Sequence, residues 1–254
     1  MTQPAPVIDS YVAATGNTGT NTVPLVLTFG TSAYTSAVLP RAGDVLVYLG
    51  GTNAAANYPQ SITDTAGADW QAGPQPPSNG QAIRAFYAIA PRDYLPTDTA
   101  AITFGNMANQ RSGTIIGSPG VDLPPLTSAM GNSAGSIAPT TGPFTVSSPA
   151  LLIGYIQNGG SGGMAGGLSF GQTGAFGWQA ATNQWHAIAR EAVTSWDGPL
   201  SGTLSSSQAY AALALALPLR HVAYPLRAWD GADWRDLAAT GAKVWDGARW
   251  LEVA

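Results

Sequence analysis

The sequence predicts an all-β protein: a jelly-roll-like β-sandwich over residues 1–220, a linker at 221–227 and a small two-hairpin module at 228–254. Three observations lead there. The apolar segments are short, rich in β-branched and aromatic residues, and bounded by Gly, Pro, Asn and Asp, which is the pattern of a sandwich or barrel. The chain carries 31 glycines and 19 prolines, enough to punctuate many short strands. Four of the 8 tryptophans fall in the last 26 residues, inside two nearly matched phrases that each contain Asp-Gly.

In chain order, the expected strands are VPLVLTF (23–29), DVLVYLG (44–50), IRAFYAIA (83–90), AITF (101–104), ALLIGYI (150–156) and WHAIAREAV (185–193). AYAALALALPL (209–219) competes as a helix, because Ala and Leu favour helices. Its leucines at 213, 215 and 217 recur every second residue, however, and share a face only on a strand. A buried strand is therefore expected. The first half runs from DVLVYLGG through a Gly/Asn/Ala loop to ITDTAGADWQAG and QAIRAFYAIA. The second runs from ALLIGYIQNGG through GSGGMAGG to LSFGQTGAFGWQAA and QWHAIAREAV, with Trp70 and Trp178 in matching places. Such an echo suits two sheets closing over one core. Residues 118–149, rich in Pro, Ser, Thr and Gly, read as a long loop that is either functional or laid across another surface.

Composition narrows the function. Charged residues make up 9% of the chain against roughly 25% in an average soluble domain, while neutral polar residues are plentiful. A net charge of -4 offers no footprint for nucleic acid or anionic lipid. There is no cysteine, so no thiolate nucleophile, disulfide framework or cysteine-held zinc. No run of 18 apolar residues predicts membrane insertion. The opening MTQPAPVIDSYV lacks the basic and apolar regions of a signal peptide. If the protein works outside a cell, it leaves by a route other than secretion, of which release inside a particle after synthesis in the cytoplasm is one.

A search for chemistry finds no enzyme and no cofactor. Gly167-Leu168-Ser169-Phe170-Gly171 matches a G-x-S-x-G elbow, but that elbow needs a strand before it and a helix after it. Here Gly-rich loops flank it, and only His186 and His221 could act as base. Asp64, Asp69, Asp93 and Asp98 could offer oxygens to calcium, yet their spacing is not that of an EF-hand. A turn capped by Asp64, with Gly67 at positive φ, is the simpler reading. The Gly-rich run 159–167 lacks the lysine and helix of a phosphate loop. With two glutamates, Glu191 and Glu252, nothing nominates a glycosidase pair. Phe176, Trp178, Trp185 and Trp196 form an aromatic stretch that could stack on sugar rings or fill a core.

The tail phrases are Trp229-Asp230-Gly231-Ala232-Asp233-Trp234 and Trp245-Asp246-Gly247-Ala248-Arg249-Trp250. Asp-Gly is a strong two-residue hairpin signal. A two-residue turn would set Trp229 opposite Ala232 and Arg227 opposite Trp234, with each tryptophan pair diagonal on one face. Such hairpins are marginal alone in water, so Trp229, Trp234, Trp245 and Trp250 are expected to cover a surface. That surface is the other hairpin, the protein's own sandwich or a neighbouring subunit.

These WDGxxW phrases resemble the short repeats that end many tail-fibre and minor tail proteins of bacteriophages. GDVLVYLG followed by ITDTAGADW is similar to a pattern in their β-sandwich domains. The resemblance implies a structural virion protein of tail tip, fibre or spike, commonly homotrimeric, assembled with other virion proteins and able to meet a host-surface glycan. No collagen-like or triple-stranded shaft repeat is present, which favours a short spike over a long fibre. The alternatives are a carbohydrate-binding sandwich and a capsid decoration protein.

Overall fold

A computed structural model describes residues 11–18, 24–31, 37–54, 57–105, 110–159, 164–169, 175–178 and 184–220, together with four short strands at 227–229, 234–236, 243–245 and 250–252; for 11–18, 164–169, 175–178, 184–188 and everything beyond 220 the description is of backbone only. Every regular element among them is a strand, and every pairing is antiparallel. The chain divides into two compact units, Met1–Arg220 and His221–Ala254.

The first half of the large unit runs β1 (Tyr11–Thr18), β2 (Leu25–Thr28), β3 (Val45–Thr52), β4 (Pro59–Asp64), β5 (Gln71–Ala72), β6 (Ala82–Ile89), β7 (Thr99–Phe104) and β8 (Arg111–Ser118). These form a five-stranded sheet ordered β1-β8-β3-β6-β5 and a three-stranded sheet ordered β2-β7-β4. The second half runs β9 (Thr127–Ser136), β10 (Phe144–Val146), β11 (Ala150–Gly159), β12 (Met164–Ser169), β13 (Ala175–Trp178), β14 (Gln184–Val193), β15 (Trp196–Gly198), β16 (Ser201–Leu204) and β17 (Gln208–Pro218). Its five-stranded sheet is ordered β9-β17-β11-β14-β13, and two small sheets pair β10 with β15 and β12 with β16. Shifting each first-half strand to its counterpart, with β15 and β16 together replacing β7, turns one half's strand order into the other's. The echo read from the sequence is therefore a repeat of topology. At residue level it is looser, since Trp70 stands just before β5 while Trp178 ends β13.

The expectation of two sheets over one core is corrected by the burial pattern, which shows three apolar layers. Along β3, Val45, Val47 and Leu49 pack with Leu151, Ile153 and Tyr155 of β11 and Leu213, Leu215 and Leu217 of β17. The alternate residues Leu46 and Tyr48 point the other way, among Leu25, Leu27, Phe86, Ile102 and Phe104. The outward face of the second large sheet buries Leu152 and Ile156 with Ala212, Ala214 and Ala216 under Phe144, Val146 and Leu200. The two five-stranded sheets thus lie back to back, each with its own cover. Because both faces are covered, β3, β8 and most of β11 are buried along their length and lack polar alternation. In β17 the leucine and alanine faces separate as strand periodicity demands.

Where the two large sheets meet, a buried polar chain crosses between them. Tyr155 Oη donates to Gln157 Oε1 at 3.0 Å, and Gln157 Nε2 donates to the Thr52 carbonyl at 2.8 Å and to Gln81 Oε1 at 3.1 Å. These bonds fix the register of one half against the other. Residues 118–149 are also not the loop expected, since β9 and β10 lie within them.

Candidate functional site

In the small unit, β18 (Arg227–Trp229) pairs with β19 (Trp234–Asp236), and β20 (Lys243–Trp245) with β21 (Trp250–Glu252). Strand therefore begins at Arg227, the last residue of the expected linker. The register differs from that of a two-residue turn. Trp229 lies directly opposite Trp234 and Arg227 opposite Asp236; likewise Trp245 opposite Trp250 and Lys243 opposite Glu252. Four residues, not two, separate each tryptophan pair, the longer connection that strands also accommodate. The Asp-Gly residues themselves lie outside the described residues. Both repeats share one design: a tryptophan pair nearest the connection and an opposite-charge pair at the open end. Directly opposed residues share a face.

Of Phe176, Trp178, Trp185 and Trp196, the last is described in full. Its indole Nε1 donates to the Gly198 carbonyl at 3.0 Å, and its ring flanks the buried alanine-rich layer with its centroid 6.5 Å from that of Phe144. By backbone register, Phe176 pairs with Ile188 and Trp178 with His186, while Trp185 pairs with Asn158. Alternation places Phe176 and Trp178 on one face of the sheet and Trp185 on the other. The side chains of these three lie outside the described residues.

Ser169 ends β12, opposite Ser201, in a different sheet from His186 on β14. The residues that follow Ser169, where the turn of a nucleophile elbow would fall, lie outside the described residues.

The aspartates resolve into engaged and free groups. Asp64 Oδ1 accepts from the backbone N–H of Gly67 (2.6 Å) and Ala68 (3.0 Å), and its Oδ2 accepts from Trp70 Nε1 (2.7 Å) and Tyr94 Oη (2.8 Å). Gly67 sits at φ 81°, where a side chain would be strained, as the turn reading requires. Asp98 accepts Nη1 and Nη2 of Arg92 (2.8 Å each), Thr65 Oγ1 (2.8 Å) and the Leu95 N–H (2.7 Å). The Arg92 guanidinium first, then the Leu95 and Thr65 donors, hold its carboxyl well below the usual carboxylate range against the opposing effect of burial. Asp93 Oδ1 accepts the Ala42 N–H. A cation would have to displace these donors, and no group of three or more acidic or histidine ligands occurs among the described residues.

Asp69 is different. It is exposed and lines a cleft of about 410 Å³ with Gln71, Tyr87, Ala88, Ile89, Leu123 and Pro124. β5 and β6 supply one wall, Gln71 pairing with Tyr87 across the ladder. The connection from β8 to β9, with a cis bond between Leu123 and Pro124, supplies the other. Sequence reasoning considered Asp69 only as a calcium ligand and missed this cleft, whose walls are far apart along the chain.

Among the described residues no helix is long and apolar enough to cross a membrane. No protein-family model matches the chain, and no curated protein or solved structure matches it.

Proposed function

We propose that the chain is a non-enzymatic structural component of a bacteriophage or phage-like particle, from the tail tip, a fibre or a short spike, and that it works as a homotrimer. The observation that carries this reading is the tail. Two copies of one ten-residue design, RAWDGADWRD and KVWDGARWLE, stand 16 residues apart and form ladders of identical register. Two-stranded units this small are marginal alone, so a repeated aromatic pair is best explained by a surface it covers. We read the module as two hairpins that contact a neighbouring subunit or another virion protein.

The body supports the same reading by analogy of fold. The strand orders β1-β8-β3-β6-β5 and β2-β7-β4, repeated in outline in the second half, support a jelly-roll-like reading, an architecture found in viral capsid and lectin domains. Fold alone does not carry function, and the repeats bear the weight.

Light scattering on the full chain and on a version ending at Arg220 tests the proposal. A trimer that falls to monomer on truncation is the expected result. A trimer in both places assembly in the large unit and leaves the repeats for another virion protein. A monomer in both overturns the trimeric reading.

A further inference from the structure

We propose that the cleft between β5, β6 and the Leu123–Pro124 corner binds one ring of a neutral saccharide, with Asp69 and Gln71 taking its hydroxyls and Tyr87 its apolar face. The inference does not depend on the virion reading, because it rests on the cleft alone.

Three features point to this ligand. The first is the state of the polar groups. In a fold with few charges, Asp69, Gln71 and Tyr87 line one cleft, and none of their side chains hydrogen-bonds to another described residue. Asp64, in the same turn, has both oxygens saturated by four donors. The turn spends one aspartate on itself and presents the other.

The second is rigidity. Asp69 and Gln71 flank Trp70, whose indole is tied to Asp64; Gln71 is held in the ladder opposite Tyr87; and the half-buried Tyr87 ring packs against the central apolar layer. The backbone that carries these groups is thus set before binding, and a ligand has only their side-chain rotamers to order.

The third is composition. Ile89, Leu123 and Pro124 make an apolar wall beside the phenol, and the volume lies within the roughly 300–1,000 Å³ of small-molecule sites. A hexose matches both parts. Its C–H face suits an aromatic and aliphatic wall. Its hydroxyls donate to the Asp69 carboxylate and exchange bonds with the Gln71 carboxamide, which offers both donors and an acceptor. With a carboxylate and no cation lining the cleft, sialic or uronic acids are disfavoured.

The test is saturation-transfer NMR and calorimetry on the full chain. The probes are methyl glycosides of glucose, galactose, mannose and N-acetylglucosamine, with glucuronic acid as the anionic control. At least one neutral glycoside should bind with a Kd on the order of millimolar, and glucuronic acid should not. D69A and Q71A, both at exposed positions, should each weaken binding roughly tenfold, the loss of a good hydrogen bond, with the thermal midpoint unchanged. The proposal is overturned if no neutral glycoside binds, if the D69A/Q71A double variant binds as well as the natural chain, or if binding disappears on truncation at Arg220 while D69A leaves it intact. The last outcome would assign the sugar to the tryptophan repeats.

Discussion

The two halves of the large unit build the same strand order with different side chains. Beneath its three-stranded cover the first half packs rings, with Tyr48, Phe86 and Phe104 in one cluster and Phe29 against Tyr94 at 4.3 Å between centroids. The corresponding layer of the second half packs methyl groups: Ala129, Ala150, Ala189, Ala212, Ala214 and Ala216 among fewer large residues. Each half clears space for what lies on its sheet. Tyr48 lies over Gly50 and Gly113, where a Cβ would strike its hydroxyl and its ring respectively, and in the second half the Thr140 carbonyl approaches Gly131 more closely still. Period-two patterning and the turns between strands thus set this topology, and the packing within each layer is free to differ.

What the halves share is the central layer, and the largest expected effect lies there. Leu215 is fully buried between the two five-stranded sheets. Leu215→Ala should cost roughly 2–5 kcal/mol, the usual range for a buried leucine. The loss should appear as one earlier transition in urea, coincident by far-UV circular dichroism and tryptophan fluorescence. Two separate transitions would show that the halves are independent folding units joined by a weak face.

An intermediate effect separates the halves by charge. The first half links β6 to β7 through residues 90–98, closed by the Arg92–Asp98 pair; the second links β14 to β15 through residues 194–195 alone. The folded Asp98 carboxyl keeps its charge to lower pH than an unfolded one, whose pKa is about 3.9. A depressed folded pKa adds stability that is present above the unfolded value and lost as pH falls toward the folded one. The melting temperature should hold above about pH 5 and drop on acidification through about pH 4, and Asp98→Asn should lower the neutral-pH value and flatten that drop. Because Arg92 is substantially exposed, added salt should shrink the effect. An unchanged acid limb in the variant would show that the pair contributes nothing to stability.

How far the sequence could be read follows from the same contrast. β17 was legible because its leucines alternate with alanines, and only a strand sorts them onto two faces. β9, TSAMGNSAGS, was not. It is an edge strand of small, polar, half-exposed residues, with no alternation to detect and a composition that reads as loop. The repeat of strand order showed through where β3 and β11 share an apolar run, but nothing local told that both of their faces would be covered.

At the candidate sites, the Asp64 turn was readable from Asp-x-x-Gly spacing. Which aspartate stays free depends on Tyr94 and Arg92, which only folding brings near. The tail register was half-visible. Asp-Gly argues for a two-residue turn, yet the basic, acidic and tryptophan residues are arranged symmetrically about a four-residue centre, and the ladders follow that symmetry.

The smallest expected effect is a difference of sign between two buried tyrosines. Tyr48 and Tyr155 are both fully buried, and burial pushes both phenols well above their ordinary pKa. Tyr155 donates to Gln157 in the chain of bonds between the halves. The Tyr48 hydroxyl, among the rings of the first half, has no hydrogen-bond partner among the described residues. Removing a satisfied buried hydroxyl loses about 0.5–1.5 kcal/mol, whereas removing an unsatisfied one relieves a desolvation penalty of about 1–3 kcal/mol. After the loss of its packing contacts, Tyr48→Phe should therefore be neutral or stabilise by roughly 1 kcal/mol, and Tyr155→Phe should destabilise. Parallel urea titrations measure both. Equal destabilisation by the two would mean that the Tyr48 hydroxyl is satisfied in solution by a buried water between the sheets. The ring-filled layer would then be wet at that point, and its contrast with the alanine-filled layer would be one of hydration as well as volume.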